Sequence, residues 1–119
     1  MREVMDVLKA LADENRVRLL YALKDGELCV CQLVALLELA PSSVSKHLTI
    51  LRSARLIDSR KSGRWMYYRL SGKTGAAPAG NLLGHLFEEI KNTDRILKDR
   101  KRLRTICSEK LESICREVF

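Results

Sequence analysis

No stretch of this 119-residue chain approaches the roughly 18 consecutive apolar residues that a membrane-spanning helix needs, so a membrane partner is not expected. Met1-Arg2-Glu3 leads into an amphipathic pattern of mixed charge rather than a signal-peptide core, which points to a cytoplasmic protein. The chain has no internal repeat. Its four cysteines, Cys29, Cys31, Cys107 and Cys115, include no Cys-X-X-Cys pair. With no evident general base or substrate pocket beside them, a thiol enzyme is not expected, and neither is a catalytic cofactor. In a cytoplasmic chain, four cysteines suit metal binding, redox chemistry or simple burial better than a disulfide framework.

What the chain does have is length for one compact domain and an excess of positive charge. Lys and Arg number 22 against 15 Asp and Glu, a formal net charge of +7. That balance favours a polyanionic partner.

Helical spacing begins at Val4, Leu8 and Leu11. Asp13 is placed to cap a second helix carrying Val17, Leu20, Tyr21 and Leu23, which Asp25-Gly26 ends. The run from Leu28 to Leu39 predicts a third helix, with Leu33, Leu36 and Leu37 facing inward, stopping at Ala40-Pro41. Pro41 suits the first position of a fourth helix, where a missing amide hydrogen costs nothing. From Pro41 to about Ala54, Val44, Leu48 and Leu51 recur on one face and leave Ser42, Ser43, Ser45, Lys46, Thr49 and Arg52 on the other. Ile57–Arg60 and Arg64–Leu70 are strand candidates around Lys61-Ser62-Gly63, with Gly63 supplying a positive φ for the turn. Residues 72–80 (GKTGAAPAG) read as a linker. Leu83, Leu86, Phe87 and Ile90 mark another helix, and Leu103, Cys107, Leu111, Ile114 and Val118 a last amphipathic stretch. Apolar stripes at both ends of a small domain predict a homodimer joined through its N- and C-terminal helices.

Two helices across a tight connection, the second opening with hydroxyl residues and carrying Lys46, suit insertion into the major groove of double-stranded DNA. The hairpin that follows has a basic tip, Arg60, Lys61 and Arg64, able to reach the backbone or the next minor groove. The expected fold is therefore mainly α with a small β-hairpin wing, a winged helix-turn-helix. Residues 1–90 would form the DNA-binding and dimerisation domain, and 91–119 a helical extension.

The segment PSSVSKHLTILRSARLIDSRKSGRWMYYRL resembles the recognition helix and wing of the ArsR/SmtB family of metal-responsive repressors, a likeness that runs over residues 1 to about 90. ELCVC, Glu27 to Cys31, resembles the box that arsenic- and antimony-sensing members carry before the recognition helix. The resemblance implies that Ser42, Ser43, Ser45, Lys46 and His47 face operator DNA, with Arg60, Lys61 and Arg64 in the wing. It also implies a repressor of a metalloid-resistance operon, released when As(III) or Sb(III) binds Cys29 and Cys31. Zinc-sensing relatives use an acidic-His pairing on the last helix, whereas this region holds only His85. Where many arsenic-sensing members have a third cysteine this chain has Val34, and where the family often has glycine after the recognition helix it has Arg55.

Thiolates are soft ligands that also suit Cd(II), Pb(II) and Cu(I), and a redox sensor of the same fold is a further alternative. In an intact helix, residues i and i+2 point apart, so Cys29 and Cys31 are expected to share one atom only if the first helical turn unwinds. The third ligand is open between Cys107, Cys115 and an exogenous thiol. On one continuous helix, Cys107 and Cys115 would lie roughly 12 Å apart. The basic run from Lys91 to Arg104 reads as a solvated face.

Overall fold

The computed structural model describes residues 1–71 and 77–119, with side chains for all of these but 77–80. Helix α1 spans Arg2–Leu11 and α2 Glu14–Ala22, followed by a 3₁₀ turn at Leu23–Asp25. Asp13 caps α2 as its position predicts, its carboxylate accepting from the backbone N–H of Asn15 at 2.8 Å and of Arg16 at 3.2 Å. Gly26 follows at φ 153°, a conformation that admits glycine and few other residues.

The run expected as one helix from Leu28 divides. Leu28–Cys29 is a short strand, β1, and α3 spans only Val30–Leu37. Cys29 is the extended residue just before α3 (φ −77°, ψ 151°). Two partners hold its backbone there: Leu28 and Cys29 pair antiparallel with Tyr68 and Tyr67, and the Cys29 N–H donates to Gln32 Oε1 at 2.8 Å. Apolar periodicity alone does not separate a buried two-residue strand from the helix it leads into.

Pro41 opens α4, Pro41–Ser53, at the position expected of it. The helix ends in a Schellman motif, with the Leu56 N–H on the Leu51 carbonyl at 3.0 Å and the Arg55 N–H on the Arg52 carbonyl at 2.9 Å. Arg55 is therefore left-handed, at φ 64°. The motif's geometry, not the residue type, sets the turn into the wing.

The wing comprises β2, Ile57–Ser62, and β3, Trp65–Leu70. Ser62 pairs with Trp65, so the turn is Gly63-Arg64, one residue later than the spacing suggests, with Lys61 on the strand. Gly63 takes the expected positive φ of 63°. The sheet order is β1-β3-β2.

Of the linker expected over 72–80, residues 72–76 lie outside the described residues, and 77–80 instead open helix α5, Ala77–Ile90. Pro78 sits in its first turn, where proline is tolerated.

The C-terminal stretch also divides, into α6, Asp94–Ser108, and α7, Leu111–Val118. Glu109 and Lys110 are extended between them (ψ 156° and 138°), so Cys107 and Cys115 share no helix.

The main core gathers Leu19, Leu20, Leu33, Leu48, Leu51 and Ile57. A second cluster joins Cys29, Cys31 and Leu36 to Ile106 and Ile114 of α6 and α7. The clamp between these parts is polar: Arg18 of α2 donates from Nε to Asp99 Oδ2 at 2.8 Å and from Nη2 to Oδ1 at 3.0 Å. Both side chains are nearly buried, 10% and 8% exposed. A two-pronged guanidinium–carboxylate pair of this kind fixes direction as well as distance. Val4, Met5 and Leu8 of α1 stay exposed, and so does Leu97 of α6, so the N- and C-terminal helices both keep apolar residues at the surface. Among the described residues no helix is long and apolar enough to cross a membrane.

Candidate DNA-reading face and thiol site

Along α4, burial of Val44, Leu48 and Leu51 turns the opposite face outward. Ser42, Ser43, Ser45, Lys46 and Thr49 are all exposed on it. His47 differs. It is half-buried, with its Nδ1 3.3 Å from Arg16 Nη1. Arginine can only donate, so a hydrogen bond here puts the ring proton on Nε2. Arg16 is itself held by the carbonyls of Ala10 at 2.7 Å and Lys9 at 3.1 Å. The contact ties the recognition helix to the α1–α2 junction. Nothing local in the sequence marks Arg16 for this tie, because His47 lies 31 residues on.

In the wing, Lys61 and Arg64 are exposed. Arg60 is also exposed but engaged, donating to both Glu27 carboxylate oxygens at 2.8 and 2.6 Å, with its guanidinium 4.7 Å from the centre of the Tyr67 ring. The Arg60 hydrogen bonds hold Glu27 below the usual carboxylate range. Arg64 lies 5.1 Å from the Trp65 ring centre, and its Nη2 is 4.0 Å from Glu112 of α7. Arg52 reaches from α4 to the Ser59 hydroxyl at 3.0 Å, joining reading helix to wing.

The sulfurs of Cys29, Cys31 and Cys115 all lie within 4.8 Å of one another. The expectation that Cys29 and Cys31 meet only by unwinding a helix is corrected here: Cys29 ends a strand and Cys31 stands in the first turn, so the change of backbone direction between them turns both sulfurs to one side. The break at Glu109-Lys110 folds α7 back onto α3 and delivers the third sulfur. Cys31 and Cys115, 84 residues apart, are joined as a disulfide with Cα atoms 5.1 Å apart. Cys29 is a free, fully buried thiol, and burial pushes its pKa up. Cys107 is free, exposed and outside the cluster. As reduced thiols the three form a compact soft donor set, fitted to thiophilic ions of trigonal habit and unfitted to hard cations. Beside them a cavity of about 670 Å³ opens between α3, the wing and α7, lined by Cys31, Trp65, Met66, Cys115, Arg116 and Phe119 among others.

Comparison with known proteins places this geometry. A model of the bacterial regulatory protein, arsR family, matches residues 13–59, from the α2 cap into the wing. HlyU from Vibrio cholerae, a solved structure, is 33% identical; the match covers 73% of this chain and 90% of that one, with a TM-score of 0.65. The chain belongs to the arsR family. The homodimeric winged helix-turn-helix domain Mb0332 of Mycobacterium bovis superimposes with the same score at 26% identity, over 78% of this chain and 83% of that one. Among curated relatives, the arsenic resistance transcriptional regulator ArsR1 of Pseudomonas putida is 46% identical over 74 residues, 59% of this chain and 58% of that protein. This family member spans about three fifths of the length of several curated relatives that it matches. Relatives named for arsenic and for cadmium resistance both align. The fold is a winged helix-turn-helix, in a family of regulators rather than enzymes.

Proposed function

We propose that this protein is a cytoplasmic, homodimeric repressor of a metalloid-resistance operon that leaves its operator when As(III) or Sb(III) is held by Cys29, Cys31 and Cys115. The observation that carries the reading is the meeting of three sulfurs within 4.8 Å on the elements that support the DNA-reading face. Residues 1–90 hold the reading and dimerising elements, and 91–119 form the extension that brings in Cys115.

On this reading Ser42, Ser43, Ser45, Lys46 and Thr49 meet bases and phosphates in the major groove, with His47 at its edge, while Lys61 and Arg64 meet backbone from the wing. Arg60 contributes mainly by bracing the wing through Glu27. Two copies joined through their N- and C-terminal helices, where Val4, Met5 and Leu8 of α1 and Leu97 of α6 are exposed, would set two reading helices about one DNA turn apart.

The chemistry at the site is ligand exchange. Three cysteine thiols replace the three hydroxyls of arsenous acid, each hydroxyl leaving as water with a thiol proton, so no net proton is released. Cys29 pairs with Tyr67 of the wing strand, and Cys31 opens the helix that precedes α4. Binding one atom to these residues and to Cys115 couples both supports of the reading face to α7 and fixes their spacing. The inducer lowers DNA affinity only by as much as it prefers the dimer so fixed.

The Cys31–Cys115 disulfide favours a second reading, a redox sensor, in which a peroxide takes two electrons and two protons from this pair. The two readings separate by experiment. Fluorescence anisotropy on DNA from upstream of the protein's own coding sequence, in reductant, follows release by arsenite. Arsenite should release the wild type but neither Cys29→Ser nor Cys31→Ser. Release by peroxide alone, reversed by reductant, would make redox the switch, and a wild type that never binds the DNA would end both readings.

A further inference from the structure

We infer that Arg16 is a positioning residue for DNA reading: it locks the reading helix α4 to α1 and so sets the spacing of half-sites that the dimer accepts. This rests on the homodimeric-repressor reading and adds to it a determinant of operator choice that itself touches no DNA.

The geometry of one guanidinium carries the inference. The Arg16 side chain is only 14% exposed, and its three nitrogens serve two other helices. Nε donates to the Ala10 carbonyl at 2.7 Å and Nη2 to the Lys9 carbonyl at 3.1 Å. Both carbonyls belong to the last turn of α1, where a helix runs out of its own N–H groups to bond them. Nη1 lies 3.3 Å from His47 Nδ1 on α4 and 3.8 Å from Asp13 Oδ2. Asp13 is fixed in turn, its other oxygen accepting from the backbone N–H of Asn15 and Arg16. A guanidinium is a flat, rigid fork, so groups bound to its separate nitrogens are held in direction as well as distance. A lysine here would be a single point charge, unable to span them.

Few other polar contacts orient the reading helix. Among the described residues two side-chain hydrogen bonds leave α4 for other elements, Arg52 to Ser59 and His47 to Arg16. The first runs to the wing, which reads DNA together with α4. The second runs to the end of α1, the helix whose exposed Val4, Met5 and Leu8 help to join the two copies. Val44, Leu48 and Leu51 bury the inner face of α4, but apolar burial is non-directional. The fork supplies the direction.

A small change of that direction matters because the helix is a lever. At about 1.5 Å per residue the 13 residues of α4 extend roughly 20 Å, so a tilt of about 10° swings one end by roughly 3.5 Å, near one base-pair step. Two-fold symmetry doubles the displacement across a dimer. Half-sites one turn apart are read together only when both helices enter their grooves at once, so the contact that resists this tilt selects the spacing.

The test uses the full chain in reductant and fluorescence anisotropy on four duplexes. These are the operator from upstream of the protein's own coding sequence, the same operator with one base pair inserted or removed between its half-sites, and a single half-site. Dividing each affinity by that for the single half-site cancels any change in direct contact. The wild type should prefer the native spacing over either altered one by at least tenfold. Arg16→Lys, which keeps the charge and loses the fork, should cut that preference below threefold. His47→Leu, which leaves the Arg16 contacts to α1 in place, should do the same. His47→Gln, whose side-chain oxygen can still accept from Nη1, should keep it. If urea denaturation shows Arg16→Lys to be unfolded, His47→Leu against His47→Gln decides. The inference is overturned if a folded Arg16→Lys or His47→Leu keeps the tenfold preference, if His47→Gln loses it as His47→Leu does, or if the wild type binds all three spacings alike. A wild type that binds none of the duplexes ends the repressor reading, and the inference with it.

Discussion

The DNA-reading half of the molecule, α2 through the wing, is built from neighbours in sequence, whereas the thiol site is built across 84 residues. The first half announces itself: Asp13 caps, Pro41 starts a helix, Val44, Leu48 and Leu51 define a face, and Gly63 turns a hairpin. The second half joins two cysteines that local pattern identifies to one that only the return of α7 can select. The difference teaches that a reading surface can be specified by local chemistry, while a switch must be spread over parts able to move against each other. If so, changes in one half should leave the other's binding intact.

The largest expected effect lies in the inducer half. Cadmium binding displaces a proton from each thiol it takes, so the Cd(II) concentration that releases DNA should fall by roughly tenfold per pH unit for each cysteine engaged. Burial raises the Cys29 pKa, so this dependence persists to pH values above the ordinary thiol range. Release by arsenite, whose exchange is proton-neutral, should stay flat over the same range. Anisotropy titrations from pH 6.5 to 8.5 compare the two, and a steep arsenite profile would break the ligand-exchange account.

Next comes the clamp between the halves. Asp99→Ala leaves Arg18 nearly buried and without its main partner, and should cost about 3 kcal/mol in urea denaturation. The same variant should bind arsenite more weakly, since α6 carries α7 to its place, while any folded fraction keeps its DNA affinity.

Within the reading half, Arg55→Gly should stabilise the fold by about 1 kcal/mol, because the left-handed residue after α4 costs any side chain strain that glycine escapes. Thermal melting measures this, with no change expected in arsenite affinity.

The smallest effect separates two wing cations. Lys61→Ala should weaken DNA binding several-fold and reduce the dependence of log affinity on log salt by about one. Arg60→Ala should change that slope less, because Arg60 is already paired with Glu27. Equal slopes would show that Arg60 leaves Glu27 to reach DNA.

Legibility in the sequence follows the same division. The helix-turn-helix and hairpin were readable to within a residue or two because each boundary has its own local cause. Two things were not. The Leu28–Cys29 strand exists only because Tyr67 and Tyr68 pair with it from the wing, so the apolar run looked helical throughout. The return of α7 depends on Ile106 and Ile114 packing against Leu36, a contact no periodicity encodes, so Cys115 could not be preferred to Cys107. Arg16, Glu27 and Asp99 stayed invisible for the same reason, each taking its meaning from a partner 31 to 81 residues distant.

The central claim is that one inducer atom draws its ligands from both halves of the chain. Arsenic K-edge X-ray absorption on the reduced, arsenite-loaded protein counts those ligands directly. The account predicts three sulfur neighbours in the wild type and in Cys107→Ser, falling to two sulfurs and an oxygen in Cys115→Ser. Three sulfurs retained in Cys115→Ser, or one lost in Cys107→Ser, would contradict it.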